Sequence, residues 1–517
     1  MSRKSYVIRN IIAKWFGIFA ITILQFISRR IFIGYFSDDL MGLSGLLQSV
    51  IAMLSLLELG VGSAIYYSLY EPIASNDNEK ITAIMQLYKK IYTTIGMAVL
   101  VLGLCITPAL SLFVETELSI TTVRIAYLIL LIDTASSYFM AYRRNIFNAD
   151  QKEYFCTNID TATTILATVT QIVLTIATGN YYLYLAGKVF WTIGANALIY
   201  FSSSKKYVFL RKKTNYKLSK EYMDQFKKNV KTLCIGNIST YLVFSTDNIL
   251  ISTFVSLESV FIYSNYSMII NTVNKLFHNI FNSAQASVGN YVVSNDKDKV
   301  YQLFNNIFFV NFLITCFTSV SLIVMSNSFI EIWLGAKYVW PLYIVVVLVV
   351  NNYLRFINQA VALFRNAIGL YSPYSFYKFW GCVEGVVNLI ASFLLIKAFK
   401  GQEIMGVFLG TTISTALVFS FVGTHALFKY YFGIEKLKEY IKSYVLYMGL
   451  TISYTVACLG LLKLLAFNNP IISFLAASFV AMLVPNLLNL CLFRSTAGMK
   501  FLLSIWGKRN FVKDRGK

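Results

Sequence analysis

The chain has 517 residues, 57% hydrophobic and only 13% charged, with a mean hydropathy of +0.62 and a formal net charge of +21. No water-soluble fold of this length hides so much apolar surface, so the soluble globular classes are excluded. The basic balance leaves anionic lipid or nucleic acid as partners on charge alone.

In chain order, apolar stretches of about 18 or more residues predict spans at Ile11 to Gly34, Gly42 to Ser68, Tyr88 to Phe113, Val123 to Tyr142, Phe155 to Ala177 and Tyr181 to Phe201. After a polar interval come Thr232 to Ser256, Val260 to Ser287, Tyr301 to Met325, Val339 to Phe364, Pro373 to Ile396 and Ile404 to Phe428. Tyr444 to Phe467 and Pro470 to Phe493 complete about fourteen helices. Pro341, Pro373 and Pro470 sit in the first turns of their spans, where a missing N–H costs least, while Pro108 and Pro485 fall inside. The first segment is too long for a signal-peptide core and is expected to be retained. A barrel is not expected, since its strands would be short and alternating.

Most Lys and Arg fall in the loops that become cytoplasmic if the N-terminus is inside, so both termini are expected in the cytoplasm. The densest run extends from Lys205 to Lys231, and a second basic run closes the chain from Lys500 to Lys517. Topology and anionic leaflet lipids explain these clusters without a nucleic-acid partner.

The run Ser75-Asn76-Asp77-Asn78-Glu79-Lys80-Ile81 recurs as Ser294-Asn295-Asp296-Lys297-Asp298-Lys299-Val300, each time after the second helix of a six-helix group. That predicts two parallel six-helix lobes related by an axis along the membrane normal. The expected division is a lobe over 1–203, a basic linker over 204–231, a second lobe over 232–430, and two extra helices with a basic tail over 431–517. Paired lobes can rock about a central cavity, which is the physical basis of alternating access.

Charges inside spans are expensive in lipid and must face protein or water. The cations are Lys14, Arg29, Arg30, Lys188, Lys275, Arg355 and Lys378; the anions are Glu58, Asp133, Asp160, Asp247 and Glu384. Asn271, Lys275, His278 and Asn282 lie on one narrow helical stripe, as do Asn351, Arg355 and Asn358. Lys14, Gln25 and Arg29 share one sector of the first helix. Interhelical hydrogen bonds and ion pairs are the bland explanation, for instance a first-helix cation with Asp247. Taken together the stripes favour a cation-lined cavity for an anionic cargo, a carboxylate or phosphate. Glu58, Asp133 and Asp247 are candidates for ion coupling or for pairing with those cations. The excess of cations speaks against a drug or cation antiporter.

Catalytic signatures are few. Two histidines on distant helices make no zinc site, no G-x-x-x-x-G-K-[ST] loop is present, and no C-x-x-C pair occurs among seven cysteines. The isolated Asp296-x-Asp298 belongs to the repeated loop, so neither an enzyme nor a metal cofactor is expected. A glycan polymerase would present a large outward loop, and every outward loop here is short.

Leu57-Glu58-Leu59-Gly60-Val61-Gly62-Ser63-Ala64-Ile65 and Leu69-Tyr70-Glu71-Pro72-Ile73-Ala74 resemble the Wzx-type polysaccharide flippases. Ala149-Asp150-Gln151-Lys152-Glu153-Tyr154, Thr246-Asp247-Asn248, Ser287-Val288-Gly289-Asn290, Ile332-Trp333-Leu334-Gly335 and Gly410-Thr411 extend the resemblance. It implies the multidrug/oligosaccharidyl-lipid/polysaccharide exporter superfamily, an all-α integral membrane fold with two six-helix lobes around a central cavity plus two C-terminal helices. By the same resemblance the last two helices form a groove for a lipid tail. The implied activity is translocation of an undecaprenyl-pyrophosphate-linked oligosaccharide across a bacterial plasma membrane. Na⁺, H⁺ or the membrane potential would drive it, with membrane lipids, a polymerase and other export machinery as partners. Arg29, Lys275, Arg355, Lys14 and Lys188 are expected to meet the anionic cargo, and Gln25, Asn271, His278, Asn282, Asn351 and Asn358 the glycan.

Overall fold

A chain in hydrocarbon must satisfy its own backbone hydrogen bonds, and every regular element among the described residues is helical, with no strand. The computed structural model describes residues 3–58, 61–113, 118–212, 214–224, 226–228, 230, 246–370, 376–465, 467 and 469–504. Ten of the helices described are long and apolar enough to cross a membrane. The other four expected spans are the second, which is broken; the sixth; the seventh, whose expected beginning lies outside the described residues; and the eighth, in which Asn and Lys interrupt the apolar run. Pro373 also lies outside the described residues.

By contact the chain divides into two compact units, Met1–Phe261 and Ile262–Lys517. Unit 1 begins with α1 (Arg3–Phe32), α2 (Asp38–Leu54), α3 (Val61–Ala74) and α4 (Asn78–Ile106), then α5 (Ile120–Ala141) and the short α6 (Arg144–Ala149). It continues with α7 (Glu153–Thr178), α8 (Tyr181–Lys206) and α9 (Thr246–Phe254). Between α2 and α3 the expected second span passes through a tight 3₁₀ turn at Ser55–Glu58. Pro108 does not sit within a continuous helix: it opens a 3₁₀ turn at Thr107–Leu112 that ends α4.

The parting at Phe261 lies beyond the basic segment, because α9 is fastened into unit 1. The Asn248 amide donates to Ser49 Oγ (2.9 Å) and Ser252 Oγ donates to the Phe113 carbonyl (2.8 Å). Gly42 lets the backbone of Leu257 pass so closely that a Cβ there would lie 3.2 Å from Leu257 Cα and nearer still to its carbonyl.

The boundary falls inside α10 (Leu257–Ser294), whose remainder opens unit 2. Then follow α11 (Lys297–Trp333), α12 (Leu342–Phe356), α13 (Gln359–Ile368), α14 (Phe376–Ala398), α15 (Glu403–Ser414), α16 (Phe421–Leu427), α17 (Leu437–Leu465) and α18 (Pro470–Phe493). The expected twelfth span runs through α15 and α16, with π-helical turns at Thr415–Ser420 and Phe428–Phe432. The two final helices are tied to α11 by packed aromatic rings: Phe312 stacks on Tyr447 at 4.1 Å and meets Phe493 edge-on at 6.0 Å, and Phe308 lies 4.8 Å from Tyr440.

The sequence repeat has one local structure in both units. Asp77 and Asp296 are N-caps whose carboxylates each accept a backbone N–H 2.9 Å away, from Lys80 and Lys299, opening α4 and α11. Replacing either Asp by Ala is expected to cost its first turn about 0.5–2 kcal/mol. Hydrogen exchange read by mass spectrometry should quicken at residues 78–82 in Asp77→Ala and 297–301 in Asp296→Ala, and nowhere else. Unchanged exchange in both would show that the caps do not hold these turns.

Candidate functional site

The sequence-predicted residues fall into separate groupings within each unit. In unit 1, Glu58 ends the turn that breaks the second span. The Tyr92 hydroxyl donates to its carboxylate, and the Asn145 amide donates to the neighbouring Tyr88 hydroxyl. The Tyr88 and Tyr92 rings meet edge to face at 4.5 Å, and Tyr138 lies 5.9 Å from Tyr92. Gly62 leaves room for this cluster, since a Cβ there would sit 3.0 Å from the Tyr92 hydroxyl and 3.3 Å from Glu58 Oε1. The result is an intramembrane carboxylate at a discontinuous helix, ringed by phenols that can donate to it.

On the neighbouring helices, Lys188 of α8 stands 3.5 Å from Asp133 of α5, so this cation is paired. The other Asp133 oxygen is enclosed with no hydrogen-bond partner among the described residues. Arg29 of α1 lies over the Phe261 ring at 4.8 Å, Gln25 is exposed, and Asp247 of α9 is buried. Lys14 lies on α1, but its side chain is outside those described. Nearer the helix ends, Arg144 forms a two-pronged pair with Asp160 (2.6 and 2.8 Å) and also reaches the Asn196 side-chain oxygen (3.1 Å). Lys206 packs over the Phe147 and Tyr207 rings; burial and the neighbouring Lys152 ammonium lower its pKa to about 8.

In unit 2 the expected single stripe is interrupted: Asn351 and Arg355 lie on α12, Asn358 lies in the turn between α12 and α13, and all three meet other segments of the same unit. Arg355 Nη2 donates to Glu384 of α14 (2.5 Å) and to Thr415 Oγ1 (2.9 Å), and its guanidinium lies 5.0 Å from the Phe419 ring. Asn351 donates to the Phe408 carbonyl (2.9 Å) and accepts from Thr412 (2.6 Å). Asn358 donates to Ser420 Oγ (3.1 Å). These partners, Thr412, Thr415 and Ser420, include a five-residue step that an α-helix would rotate off the face; the π-helical turn brings Ser420 back onto it. Glu384, Asn388 and Ser392 form a matching stripe on α14: Asn388 donates to Thr411 (3.1 Å), and Ser392 to the Val407 carbonyl (3.2 Å). Gly410 allows that approach, since a Cβ there would lie 2.6 Å from Ser392 Cα.

The stripe on α10 is different. Asn271, Lys275 and Asn282 are exposed, His278 is half-buried with its ring 5.6 Å from Phe356, and Lys275 makes no ion pair with a described residue. Sequence reasoning did not select Asn388, Ser392 or the tyrosines around Glu58; the i, i+4, i+8 spacing of Glu384, Asn388 and Ser392 was the available signal. No group of three or more His, Cys, Asp or Glu among the described residues is placed to hold a metal.

Residues 41–341 match the family model described as polysaccharide biosynthesis protein. The chain belongs to this family. No curated protein matches its sequence. Among solved structures it is similar to the lipid II flippase MurJ in an inward closed conformation, with a TM-score of 0.63, 16% identity, and coverage of 93% of this chain and 99% of that one. It is also similar to an inward-facing multidrug resistance MATE family transporter of the MOP superfamily (TM-score 0.62, 12% identity, 81% and 96% covered) and to a MATE protein in complex with MaD3S (0.52, 13%, 85% and 98%). The fold is that of these multi-pass membrane proteins, in agreement with the fold class expected from the sequence.

Removing one member of a buried pair costs about 3–5 kcal/mol, because its partner is left charged. Arg355→Met and Glu384→Leu should therefore each lower the thermal unfolding midpoint of the detergent-solubilised protein more than the two substitutions together. Additive losses in the double variant would show the two groups to be energetically uncoupled.

Proposed function

We propose that this protein is a flippase that moves a polyprenyl-pyrophosphate-linked oligosaccharide from the inner to the outer leaflet of a bacterial plasma membrane, for capsule, O-antigen or exopolysaccharide assembly. The match of residues 41–341 to the polysaccharide biosynthesis family carries this reading, and the likeness to a lipid II flippase supports it. The basic loops favour both termini in the cytoplasm.

On this reading Lys275, exposed on α10 between Asn271 and Asn282, is the candidate cargo contact of unit 2, and Arg29 is, separately, the candidate pyrophosphate contact of unit 1. Arg355, Asn351 and Asn358 are engaged by their own unit, so their part is to set the shape of unit 2. Lys188, held by Asp133, would reach a cargo only by leaving that pair. Glu58, Asp133 and Asp247 are the groups proposed to couple transport to Na⁺, H⁺ or the membrane potential; Glu58 stands out because it lies at a helix break.

Depletion of the protein is expected to strand lipid-linked oligosaccharide in the inner leaflet. Membrane-impermeant modification of the glycan on right-side-out and inverted vesicles reads this directly. Outer-leaflet glycan unchanged on depletion, in cells lacking a redundant flippase, would sink the reading and bring drug or cation antiport forward. In a strain that passes this test, Lys275→Gln should slow the appearance of outer-leaflet glycan without altering the amount of protein in the membrane, whereas unchanged export would remove Lys275 from the site.

A further inference from the structure

Arg143 stands at the join between α5 and α6, and its burial lacks the compensation given to its neighbour. Arg144 is matched by Asp160 and Asn196. Arg143 is 7% exposed, and no described carboxylate pairs with it. One of its five N–H donors, on Nε, reaches the Tyr142 hydroxyl at 3.2 Å, while Nη1 is enclosed without an acceptor. The rings of Tyr200 and Tyr142, at 5.1 and 5.4 Å from the guanidinium carbon, stabilise its charge but do not neutralise it.

The same end of unit 1 carries an excess of positive charge. Arg143, Arg144, Lys152, Lys205 and Lys206 outnumber Asp150, Glu153 and Asp160. Two of those three carboxylates are already committed, Asp160 to Arg144 and Asp150 to Lys152 and the Tyr207 hydroxyl. A buried guanidinium with unused donors, at the end of a membrane-spanning helix and in a field of surplus cations, matches a phosphate oxyanion at head-group depth.

We infer that Arg143 is the anchor of a phosphate-binding site for a membrane lipid at this end of unit 1. Nη2, which neither bonds a described residue nor is enclosed like Nη1, donates to the oxyanion, Tyr142 and Tyr200 hold the fork in place, and Lys206 adds to the surrounding potential. The phosphate belongs either to an ordinary anionic phospholipid or to the pyrophosphate of an isoprenoid-linked saccharide. The site stands independently of the proposed cargo, since a head-group site survives if glycan export fails.

The test uses the full chain in detergent, stripped of lipid and titrated with dioctanoyl phosphatidylglycerol or farnesyl pyrophosphate while the thermal unfolding midpoint is followed. Either probe is expected to raise the midpoint saturably, and Arg143→Gln to weaken that response about tenfold, the scale of one lost charge-assisted hydrogen bond. Arg143→Lys should retain an intermediate response. Phosphatidylglycerol alone acting identifies a phospholipid site, and farnesyl pyrophosphate alone acting identifies a pyrophosphate site; both support the inference. Equal affinity in the wild type and Arg143→Gln overturns it. So does a wild-type protein that responds to neither probe and retains no phosphorus-containing lipid in native mass spectrometry before stripping, a result that needs no variant to fold.

Discussion

Charge inside a hydrocarbon layer must be neutralised or hydrogen-bonded by the protein itself, and in each unit this constraint decides which helices meet. In unit 2 the Arg355–Glu384 pair fixes α12 against α14, and Thr415 brings the twelfth span to the same point. In unit 1 Lys188 and Asp133 join α8 to α5, and Arg144 with Asp160 and Asn196 joins α6 to α7 and α8. Apolar packing alone distinguishes poorly between helix faces in lipid, where every face is equally at home. The polar seams supply the missing specificity, and close-packed glycines such as Gly42 and Gly410 let the backbones come near enough for the seams to form.

The two units solve this problem differently. Unit 2 has a closed seam in which Glu384, Asn388, Ser392, Asn351 and Arg355 each meet a partner on a neighbouring segment. Unit 1 places its central carboxylate, Glu58, at a break in the helix and surrounds it with phenols in place of a guanidinium. A hydroxyl can follow a carboxylate through a change of protonation or position more readily than a fixed ion pair can, because the phenol is neutral before and after.

Hydropathy made the spans legible, and the Asp77 and Asp296 caps were legible because the same seven-residue pattern recurs where the same turn recurs. Periodicity grouped Asn351, Arg355 and Asn358 on one helical face; Asn351 and Arg355 do lie on α12, but Asn358 falls in the turn that ends it. It could not say what that face meets, because a stripe fixes a direction from one axis and carries no information about the helix beyond it. The partner Glu384 is 29 residues away in sequence. Arg143 went unselected for a related reason: at the end of a span it reads as one more topological charge, and only the tertiary structure separates it, enclosed by two tyrosines, from Arg144, which is paired with Asp160. The break at Ser55–Glu58 had a trace in the charged residue and the glycines within the second span, whereas the π-helical turns had no compositional sign at all.

Those π-helical turns bear on how such a span can lengthen or shorten over evolutionary time. A π turn holds one more residue than the α turn it replaces, so it is the structural form of a single-residue insertion absorbed without moving the helix on either side. The turn at Thr415–Ser420 sits where Arg355 and Asn358 find their partners. Loss of one residue there would leave the helix intact and its hydropathy unchanged while swinging Ser420 away from Asn358. The register of this span is therefore written in a count of residues, and relatives with the same apolar profile but one residue fewer would have to build the seam from different side chains.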